Sequence, residues 1–418
     1  MPLLTALSHQ LTWEEFLTYR LRKGRFNWHE FDVADTFVSE KLYLPVVERM
    51  LRGEGLSIPT KHLVNKMGSG KKRVVYSFED DEMNVLKCLS YLLYRFDSTL
   101  SPNCYSFRRG LTAHDAIHDI LRATNGRQMW AYKVDIHNYF NSISIPLLLP
   151  ILLELLAEDP TLYRFFEQIL TEECAIFKDE IVREEHGVMA GTPISPFLAN
   201  IYLKEVDQHF VENGVIYARY SDDIILFAPD EPTLMQHIET LKAFLDKYRL
   251  EVNPEKEQIY RPDEPFEYLG FKCFGNEIDI SEATKRKMKD KIRRKTRLLL
   301  RWSTQKDIPA DAAMKGLIRY FNRKFFERDE LQSLTWSRWF FPMITRTDGL
   351  REIDHYLQDN LRFLATGKHN KANFRIRYPH LKSLGYRSLV HEYYAFSKKI
   401  CLLNVTNNRY FMIDNLKY

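Results

Sequence analysis

Apolar residues recur at helical spacing over several long stretches of the chain. Within the first 57 residues they fall at Trp13, Phe16 and Leu17 and again at Val47 and Met50. A spacing of three to four residues places such side chains on one face of a helix. The same pattern predicts helices over residues 80–96, 145–170, 197–210 and 231–248, one helix capped by Thr112, and long helices after residue 281.

β-branched and alternating runs predict strands between these helices. Residues 62–66 and 73–78 flank a glycine-rich turn and are expected to form a hairpin. A second hairpin is expected from residues 215–219 and 224–228, with Tyr220-Ser221-Asp222-Asp223 at its tip. Residues 128–135 predict a strand that ends at Asp135, a residue type that favours turns and ligands over strands.

Length and composition indicate a globular protein of two or three domains. The 418 residues are 45% hydrophobic and 28% charged, with a net charge of +4. From about residue 281 the sequence becomes basic and rich in aromatic residues. We therefore predict a helical extension over 1–57, a second region over 58–275 and a helical C-terminal region over 281–418.

The cysteines and the apolar runs point to the cytoplasm. Five scattered cysteines without a CxxC pair favour neither a disulfide framework nor a zinc site. The N-terminus lacks the basic and apolar segments of a signal peptide, and no apolar run approaches the ~18 residues of a membrane span. We expect a cytoplasmic protein without a membrane partner.

Asp222 and Asp223 are the first candidates for chemistry. Two adjacent carboxylates at a tight turn repel each other, and a divalent cation with oxygen ligands relieves that repulsion. Ordinary turn chemistry is the alternative, because Asp is common in turns. These two residues alone do not decide between the alternatives.

Two basic segments are candidates for binding anions. The turn of the first hairpin carries Lys66, Lys71 and Arg73, which could hold a phosphate, although exposed lysines on a hairpin are the simpler explanation. Residues 285–301 contain ten Lys or Arg against one Asp. This local basic patch makes a polyanionic partner plausible, and a solvated helix face is the alternative.

The order of these parts fits a phosphoryl-transfer site that uses two metal ions. A strand ends at Asp135, a Gly/Pro turn precedes a helix near Pro196, and the hairpin then presents Asp222 and Asp223. Three carboxylates can hold two Mg²⁺ ions about 4 Å apart, one for the attacking hydroxyl and one for the leaving oxygen. The sequence therefore predicts such a site.

Five segments in this order resemble the motifs of reverse transcriptases, over roughly Leu63 to Phe271. Lys133-Val-Asp135-Ile-His-Asn-Tyr-Phe140-Asn141 is similar to the first carboxylate motif, and Arg219-Tyr-Ser-Asp222-Asp223 resembles the signature hairpin. Gly187 to Asn200 resembles the Gly/Ser-Pro motif in the form of bacterial group II intron and retron enzymes. The resemblance implies an α+β right-hand polymerase fold with fingers, a palm of antiparallel sheet plus helices, and a helical thumb and C-terminal region.

The resemblance also implies the ligands of the metal ions. Asp135, Asp222 and Asp223 would hold two Mg²⁺ ions together with the backbone carbonyl of Ile136, and Mn²⁺ could substitute. Lys256 would protonate the pyrophosphate leaving group. The implied enzyme is an RNA-directed DNA polymerase, a nucleotidyltransferase.

Nucleotide-binding residues are implied in the same way. Lys66 and Arg73 would grip the incoming triphosphate, where cations stabilise negative charge in the transition state. Phe140 would exclude a ribose 2′-hydroxyl, which predicts the use of dNTPs. At the position where many members of the family carry Gln beside the nucleotide, this chain has Ala190, and the lost contact leaves fidelity and nucleotide preference open.

Two further segments are expected to contact nucleic acid. Tyr268 to Phe271 would be a primer grip. Residues 285–301 would form a thumb helix, with Met288, Ile292, Leu299 and Trp302 on its apolar face and cations towards the template–primer. The expected partners are a structured, probably non-coding RNA template, a DNA or RNA primer, dNTPs and the cDNA product, with the oligomeric state open.

The biological role is inferred from the C-terminal sequence. Gly367 to Arg377 and Leu384 to Tyr394 resemble bacterial reverse transcriptases outside mobile introns, particularly anti-phage defence enzymes. An intron-derived maturase is the alternative within the family. An RNA-binding scaffold without catalysis is the alternative outside it, which the clustered carboxylates oppose.

Overall fold

The computed structural model describes most of the chain, and contacts divide it into two units. The described residues are 1–24, 28–65, 72–327, 335–368, 373 and 375–406, with residues 28 and 400–406 described by their backbone alone. Unit 1 is Met1–Glu264 and unit 2 is Pro265–Tyr418. The domain limits proposed from motifs and composition stay a prediction, because contacts alone define these two units.

Unit 1 combines helices with two four-stranded sheets. Its helices are Leu3–Ala6 (α1), Gln10–Arg22 (α2), Trp28–Ser39 (α3), Leu44–Arg52 (α4), Asp80–Leu93 (α5), Ala113–Thr124 (α6), Tyr139–Ser142 (α7), Ile145–Leu155 (α8), Pro160–Leu170 (α9), Ser195–Tyr202 (α10), Lys204–Glu212 (α11) and Glu231–Lys247 (α12), with 3₁₀ turns at Tyr94–Thr99 and Pro254–Lys256. Its strands are Thr60–Asn65 (β1), Lys72–Ser77 (β2), Trp130–Asp135 (β3), Cys174–Phe177 (β4), Glu180–Arg183 (β5), Ile216–Tyr220 (β6), Asp223–Ala228 (β7) and Gln258–Tyr260 (β8).

Unit 2 begins with three short strands and continues as helices. The strands are Phe266–Tyr268 (β9), Phe271–Phe274 (β10) and Glu277–Ile280 (β11). The helices are Glu282–Gln305 (α13), Ala310–Phe326 (α14), Trp336–Phe340 (α15), Asp348–Thr366 (α16), Tyr378–Ser383 (α17) and Leu389–Thr406 (α18). The sheets are antiparallel apart from the parallel pair of β1 with β4, and together with the separate helices they confirm the predicted α+β class.

The central sheet of unit 1 has the strand order β6-β7-β3-β8, with antiparallel neighbours. Val134 on β3 and Ile224, Ile225 and Leu226 on β7 are fully buried. These β-branched and apolar residues favour a strand that is covered on both faces. Helix α12, whose N-cap Asp230 accepts a hydrogen bond from the backbone of Thr233 at 2.8 Å, packs against the two central strands.

A second sheet carries the basic hairpin that the sequence predicts. Strands β1 and β2 pair antiparallel from Thr60↔Ser77 to Asn65↔Lys72, so the predicted hairpin strands are confirmed. Strands β4 and β5, which the sequence did not predict, extend this sheet in the order β2-β1-β4-β5. The turn that contains Lys66 and Lys71 lies outside the described residues.

The N-terminal helices join the same core as the sheets of unit 1. The ring of Trp13 stacks on that of Tyr43 with centroids 4.5 Å apart, and both side chains are buried. The backbone N–H of Leu3 donates to the carboxylate of Asp159 at 2.7 Å. Burial of these side chains confirms the predicted N-terminal helices and shows that they pack within unit 1.

Two long predicted helices are each broken in the structure, so their predicted continuity was wrong. The stretch 145–170 forms α8 and α9 because Asp159 caps a new helix at Pro160, with its carboxylate accepting from the N–H of Leu162 at 3.2 Å. The stretch 197–210 breaks at Leu203, after which α11 turns its buried face towards β6.

In unit 2, α13, α14 and α16 pack against one another, and α16 also contacts β11 and α18. Helix α13 begins at Ser281, whose hydroxyl accepts from the N–H of Thr284 at 3.2 Å. Met288 and Ile292 are buried on one side of α13, as predicted. Trp302, which was predicted for the same apolar face, has a side chain that is 45% exposed.

Two structural features concern the cysteines and the apolar content of the helices. Cys88, Cys104, Cys174 and Cys273 are free thiols. Among the helices that the structure describes, none combines the length and the apolar character needed to cross a bilayer.

Candidate active site

The hairpin of β6 and β7 presents two adjacent carboxylates at its tip. Tyr220 pairs with Asp223, and Ser221 and Asp222 form the connection. Ser221 has a φ of 62°, which lies in the left-handed region that two-residue hairpin turns require. The predicted hairpin tip is therefore confirmed.

Asp135 lies directly beside this tip. Strand β3 pairs with β7 so that Asp135 is opposite Asp223, and the N–H of Ile136 donates to the carbonyl oxygen of Asp222 at 3.0 Å. On the other side, the carbonyl oxygen of Asp135 accepts from the N–H of Asn253 at 2.8 Å. The sheet thus brings three predicted carboxylates to one end of two paired strands.

The environment of Asp222 and Asp223 opposes the ionisation of their carboxyl groups. Burial, followed by the nearby charge of Asp135, raises the pKa of Asp222 above the value usual for Asp. Burial raises the pKa of Asp223 to about 6, and the charges of Asp222 and Asp135 act in the same direction. Groups of like charge in a partly buried site carry this cost unless cations lie beside them.

Cations of the chain offset part of this cost. The Lys256 ammonium lies 2.5 Å from a carboxylate oxygen of Asp135 and forms an ion pair with it. Lys256 and Arg73 both act to lower the pKa of Asp222, and Lys133 acts to lower that of Asp223. The structure therefore brings Arg73 and Lys256 to the carboxylates, as predicted. Lys66 lies outside the described residues.

A buried network of an ion pair and hydrogen bonds, which the sequence did not predict, holds the hairpin tip in place. Arg219 and Asp207 are fully buried and form an ion pair at 2.5 Å. The same guanidinium donates to the carbonyl oxygen of Ser221 at 3.3 Å, and the N–H of Ser221 donates to the hydroxyl of Ser106 at 2.8 Å. These bonds fix the residue that precedes the paired carboxylates.

The signal for this network was an arginine inside an otherwise apolar strand. Residues 215–218 form a continuous apolar run, as in a buried strand, and a charged residue next to them at position 219 requires a buried partner. Asp207 lies twelve positions earlier, on the predicted helix, at a position that spacing alone does not single out. The pairing is therefore visible only once α11 and β6 are placed side by side.

Phe140 and Ala190 lie on two backbone segments that are bonded together. The N–H of Val188 donates to the carbonyl oxygen of Phe140 at 2.9 Å. At Gly187, with φ 54°, a Cβ would lie 2.4 Å from that carbonyl oxygen, so no larger residue fits this contact. The ring of Phe140 packs edge to face on Phe107, with centroids 6.2 Å apart.

Asn141 ties these segments to the basic hairpin. Its side-chain oxygen accepts from the N–H of Ala190 at 3.0 Å, and its amide nitrogen donates to the carbonyl oxygen of Val74 at 3.2 Å. The carbonyl oxygen of Ala190 in turn accepts from the N–H of Tyr76 at 2.8 Å. Ala190 is thus held through its backbone on both sides, and its role in nucleotide preference stays a prediction.

The donor chemistry fits a hard divalent cation. Carboxylates of Asp135, Asp222 and Asp223 and the adjacent carbonyl of Ile136 are oxygen ligands of the kind that Mg²⁺ prefers. Among the described residues, no set of three or more His, Cys, Asp or Glu side chains is drawn close enough together to enclose a metal ion. Asp135 is instead paired with Lys256, and the assignment of the four ligands stays a prediction.

The expected primer grip belongs to unit 2. Tyr268 pairs with Phe271 across a turn formed by Leu269 and Gly270, whose φ values are 48° and 91°. Tyr268 and Phe271 are fully buried. The segment is therefore a tight hairpin, and its contact with a primer stays a prediction.

The sequence of residues 64–273 matches a protein family model that is described as reverse transcriptase (RNA-dependent DNA polymerase). The matched residues make up half of the chain and contain every residue predicted for catalysis, metal binding and nucleotide binding. No curated protein sequence matches the chain.

Solved telomerase structures resemble part of the chain. Apo telomerase of Candida tropicalis, truncated from its C-terminal domain, aligns with a TM-score of 0.44 and 12% identity over 56% of this chain and 58% of that chain. Candida albicans telomerase in complex with a TWJ fragment of telomeric RNA aligns with a TM-score of 0.43 and 13% identity over 83% and 68%. The chain thus spans less than two thirds of the first structure. Both TM-scores lie below 0.5, so the family assignment rests on the sequence match.

Proposed function

This chain belongs to the reverse transcriptase (RNA-dependent DNA polymerase) family, and from that premise we propose that it synthesises cDNA from dNTPs on a structured, non-coding RNA with two Mg²⁺ ions. The expected right-hand polymerase fold and the expected enzyme class, RNA-directed DNA polymerase, are confirmed at the level of the family. The template, the metal ions and the residue roles are the proposal.

The observation that carries the proposal is the register of the central sheet. It places Asp135 opposite Asp223 and bonds Ile136 to Asp222, so three carboxylates share one end of β3 and β7. The raised pKa values of Asp222 and Asp223 reflect burial together with neighbouring like charges, a combination that is costly without additional cations. Two bound Mg²⁺ ions would supply this charge, lower the pKa of the attacking hydroxyl and stabilise the leaving oxygen.

The side chains around the carboxylates have separate roles in the proposal. Arg73 binds the triphosphate of the incoming dNTP, and Phe140 closes the space that a ribose 2′-hydroxyl would need. Lys256 donates a proton to the leaving pyrophosphate, and its ion pair with Asp135 holds the ammonium next to the reacting groups. Lys66 is assigned to the triphosphate by resemblance alone.

The biological part of the proposal is a cytoplasmic role in defence against phage. Its support is the resemblance of Gly367 to Arg377 and Leu384 to Tyr394 to reverse transcriptases outside mobile introns; residues 369–372 and 374 lie outside the described part of the chain. An intron maturase is the alternative, which an intron RNA around the gene would favour. Sequencing the nucleic acid that copurifies with the protein from its host distinguishes these readings, because it reports both template and product.

Primer extension tests the catalytic proposal. With Mg²⁺, dNTPs and an RNA template annealed to a primer, we expect incorporation by the native protein. Asp222→Ala with Asp223→Ala removes two of three carboxylates and should abolish it. A matched control, Glu239→Ala with Asp246→Ala, removes the same charge from exposed positions on α12 and should keep full activity. Undiminished synthesis by the first variant would overturn the site, whereas an inactive native protein would favour a non-catalytic RNA-binding scaffold.

A further inference from the structure

One side of α13 and the neighbouring side of α14 form a surface that is both cationic and apolar. We call this surface the α13–α14 seam. On α13, residues 291, 295, 298 and 302 recur at helical spacing and therefore share one side. The Lys295 ammonium lies 4.7 Å from the centroid of the Tyr320 ring on α14, and Lys291 contacts Lys324. The seam consists of Lys291, Lys295, Leu298, Trp302, Tyr320 and Lys324.

The cationic end of the seam places two ammonium groups side by side. Burial, the contact with Lys324 and the charge of Arg294 lower the pKa of Lys291 to about 8. Within the described residues, neither Lys291 nor Lys324 is paired with a carboxylate. The contrast with Lys285 and Lys289 on the same helix is clear, because both are ion-paired with Glu352. An anion between Lys291 and Lys324 would remove the repulsion.

The apolar end of the seam exposes an indole. Trp302 is 45% exposed and Leu298 is 56% exposed. They line a cavity of about 570 Å³ together with Leu299, Arg301 and Gln305. This volume lies within the range of about 300–1,000 Å³ typical of sites for small organic groups. An exposed indole beside cations is the combination that binds a nucleobase by stacking and its backbone by charge.

We propose that the α13–α14 seam binds a single-stranded segment of RNA, with phosphates at Lys291 and Lys324 and an unpaired base against Trp302. Eleven residues of helix separate Lys291 from Trp302, about 16 Å at 1.5 Å per residue, so the site takes several nucleotides. The bases of a duplex are already stacked within it, and only an unpaired base can lie on the indole. The inference rests on the proposed function in one respect, that RNA is the substrate.

A membrane surface is the other ligand that a basic helix with exposed Trp and Leu could bind. Such helices bury a continuous apolar face along their length. On α13 the exposed apolar residues of the seam are confined to about one turn, at Leu298 and Trp302, and on α14 the half-exposed Tyr320 ring lies beside Lys295; the other residues of the seam are cationic. The pairing of cations across two helices also suits discrete phosphates of one strand. The chemistry of the seam therefore favours RNA.

Binding of a labelled, unstructured RNA of about 12 nucleotides, a length that single-stranded sites span, tests the inference without primer, dNTP or Mg²⁺. Lys291→Gln with Lys324→Gln should weaken binding about tenfold. It should also make the negative slope of log association constant against log salt concentration shallower by about 1.4, since each lost phosphate contact removes about 0.7. Trp302→Ala should also weaken binding about tenfold, and Trp302→Phe, which keeps a ring, should restore most of it.

Three controls separate the seam from general charge and from folding. Lys315→Gln with Lys382→Gln removes the same charge from exposed positions elsewhere in unit 2 and should bind RNA as the native protein does. The Lys291 and Lys324 variant should lose clearly less affinity for a preformed primer–template duplex than for the single-stranded RNA. Lys291→Gln should raise the melting temperature at pH 7, because the protonated lysine is destabilising below its pKa of about 8.

Several outcomes would overturn the inference. They are unchanged RNA binding by the Lys291 and Lys324 variant, an equal loss of duplex binding, or tight binding of the native protein to anionic vesicles that Trp302→Ala abolishes. Because this assay contains no nucleotide or metal ion, its failure is distinct from failure of primer extension by the native protein.

Discussion

At the scale of single residues, the candidate active site is a balance of opposed charges. Burial raises the pKa of Asp222 and Asp223, while Lys256, Arg73 and Lys133 act in the opposite direction. The ammonium of Lys256 is committed to Asp135, which leaves the hairpin pair with weaker compensation. The negative charge that the cations of the chain leave uncompensated therefore lies at Asp222 and Asp223, where divalent cations would bind.

Phe140 is the residue whose replacement should change which nucleotide is accepted. Its backbone is bonded to Val188 and its ring is held edge to face by Tyr139 and Phe107. Phe140→Ala removes the ring and keeps the backbone bond, so we expect the variant to incorporate rNTPs with an rNTP:dNTP ratio raised by an order of magnitude or more. Single-nucleotide primer extension with each dNTP and rNTP measures this ratio.

Phe107→Ala serves as the control for Phe140. It leaves the ring of Phe140 in place and removes one of its packing partners, so we expect a smaller rise in the rNTP:dNTP ratio. If Phe140→Ala and the native protein discriminate equally, Phe140 does not exclude the 2′-hydroxyl.

At the scale of elements, Asn141 joins three parts of unit 1. It follows Phe140 on α7, bonds to Ala190 on the turn before α10, and bonds to Val74 on β2. Val74 is the neighbour of Arg73, which we assign to the triphosphate. One side-chain amide thus joins the segments that carry Arg73, Phe140 and Ala190, in addition to the backbone bonds of Tyr76 to Ala190 and of Val188 to Phe140.

Asn141 is accordingly expected to act as a positioning residue. Asn141→Ala leaves the N–H of Ala190 and the carbonyl of Val74 without this partner, which costs about 1–3 kcal/mol for a buried polar group. We expect a rise in KM for dNTP of about tenfold with a smaller change in kcat. Asn213→Ala, at an exposed amide that bonds only to the carbonyl of His209 in the described residues, is the matched control. The role would be contradicted if Asn141→Ala changed kcat and KM no more than Asn213→Ala does, or if it lowered only the stability of the protein.

The elements that the sequence predicted are those with strong local signals. The hairpin of β6 and β7 has β-rich strands around a turn of polar residues, and α12 has both a capping Asp230 and apolar residues at regular spacing. The break before α9 also had a local signal, Asp159 followed by Pro160, but the long apolar pattern on either side outweighed it. Local pattern thus predicts the type of an element better than its limits.

The elements that the sequence did not predict depend on partners far along the chain. Strand β8 has three residues, and its pairing with β3 alone defines it as a strand. The ion pair of Arg219 with Asp207 and the bonds of Asn141 join residues on separate elements. The carboxylates could be predicted because motif order identifies them, whereas the bonds that position them depend on tertiary packing.

At the scale of the whole molecule, charge is divided between the two units. Unit 2 contains 31 Lys and Arg against 16 Asp and Glu, a net charge of +15, and unit 1 has a net charge of −11. The overall +4 conceals this division. Since the nucleic-acid backbone is a polyanion, we expect most of its electrostatic attraction to come from unit 2.

This division predicts where the salt dependence of RNA binding arises. Arg286→Gln with Lys287→Gln removes two exposed cations from α13, and Arg122→Gln with Lys178→Gln removes two exposed cations from unit 1. We expect the first pair to weaken binding of template–primer and to make the negative slope of log association constant against log salt concentration shallower by up to about 1.8, because each lost contact with a duplex phosphate removes about 0.9. The second pair should leave affinity and slope unchanged. Fluorescence anisotropy over a salt series measures both quantities, and equal slopes for the two variants would show that the attraction does not reside in unit 2.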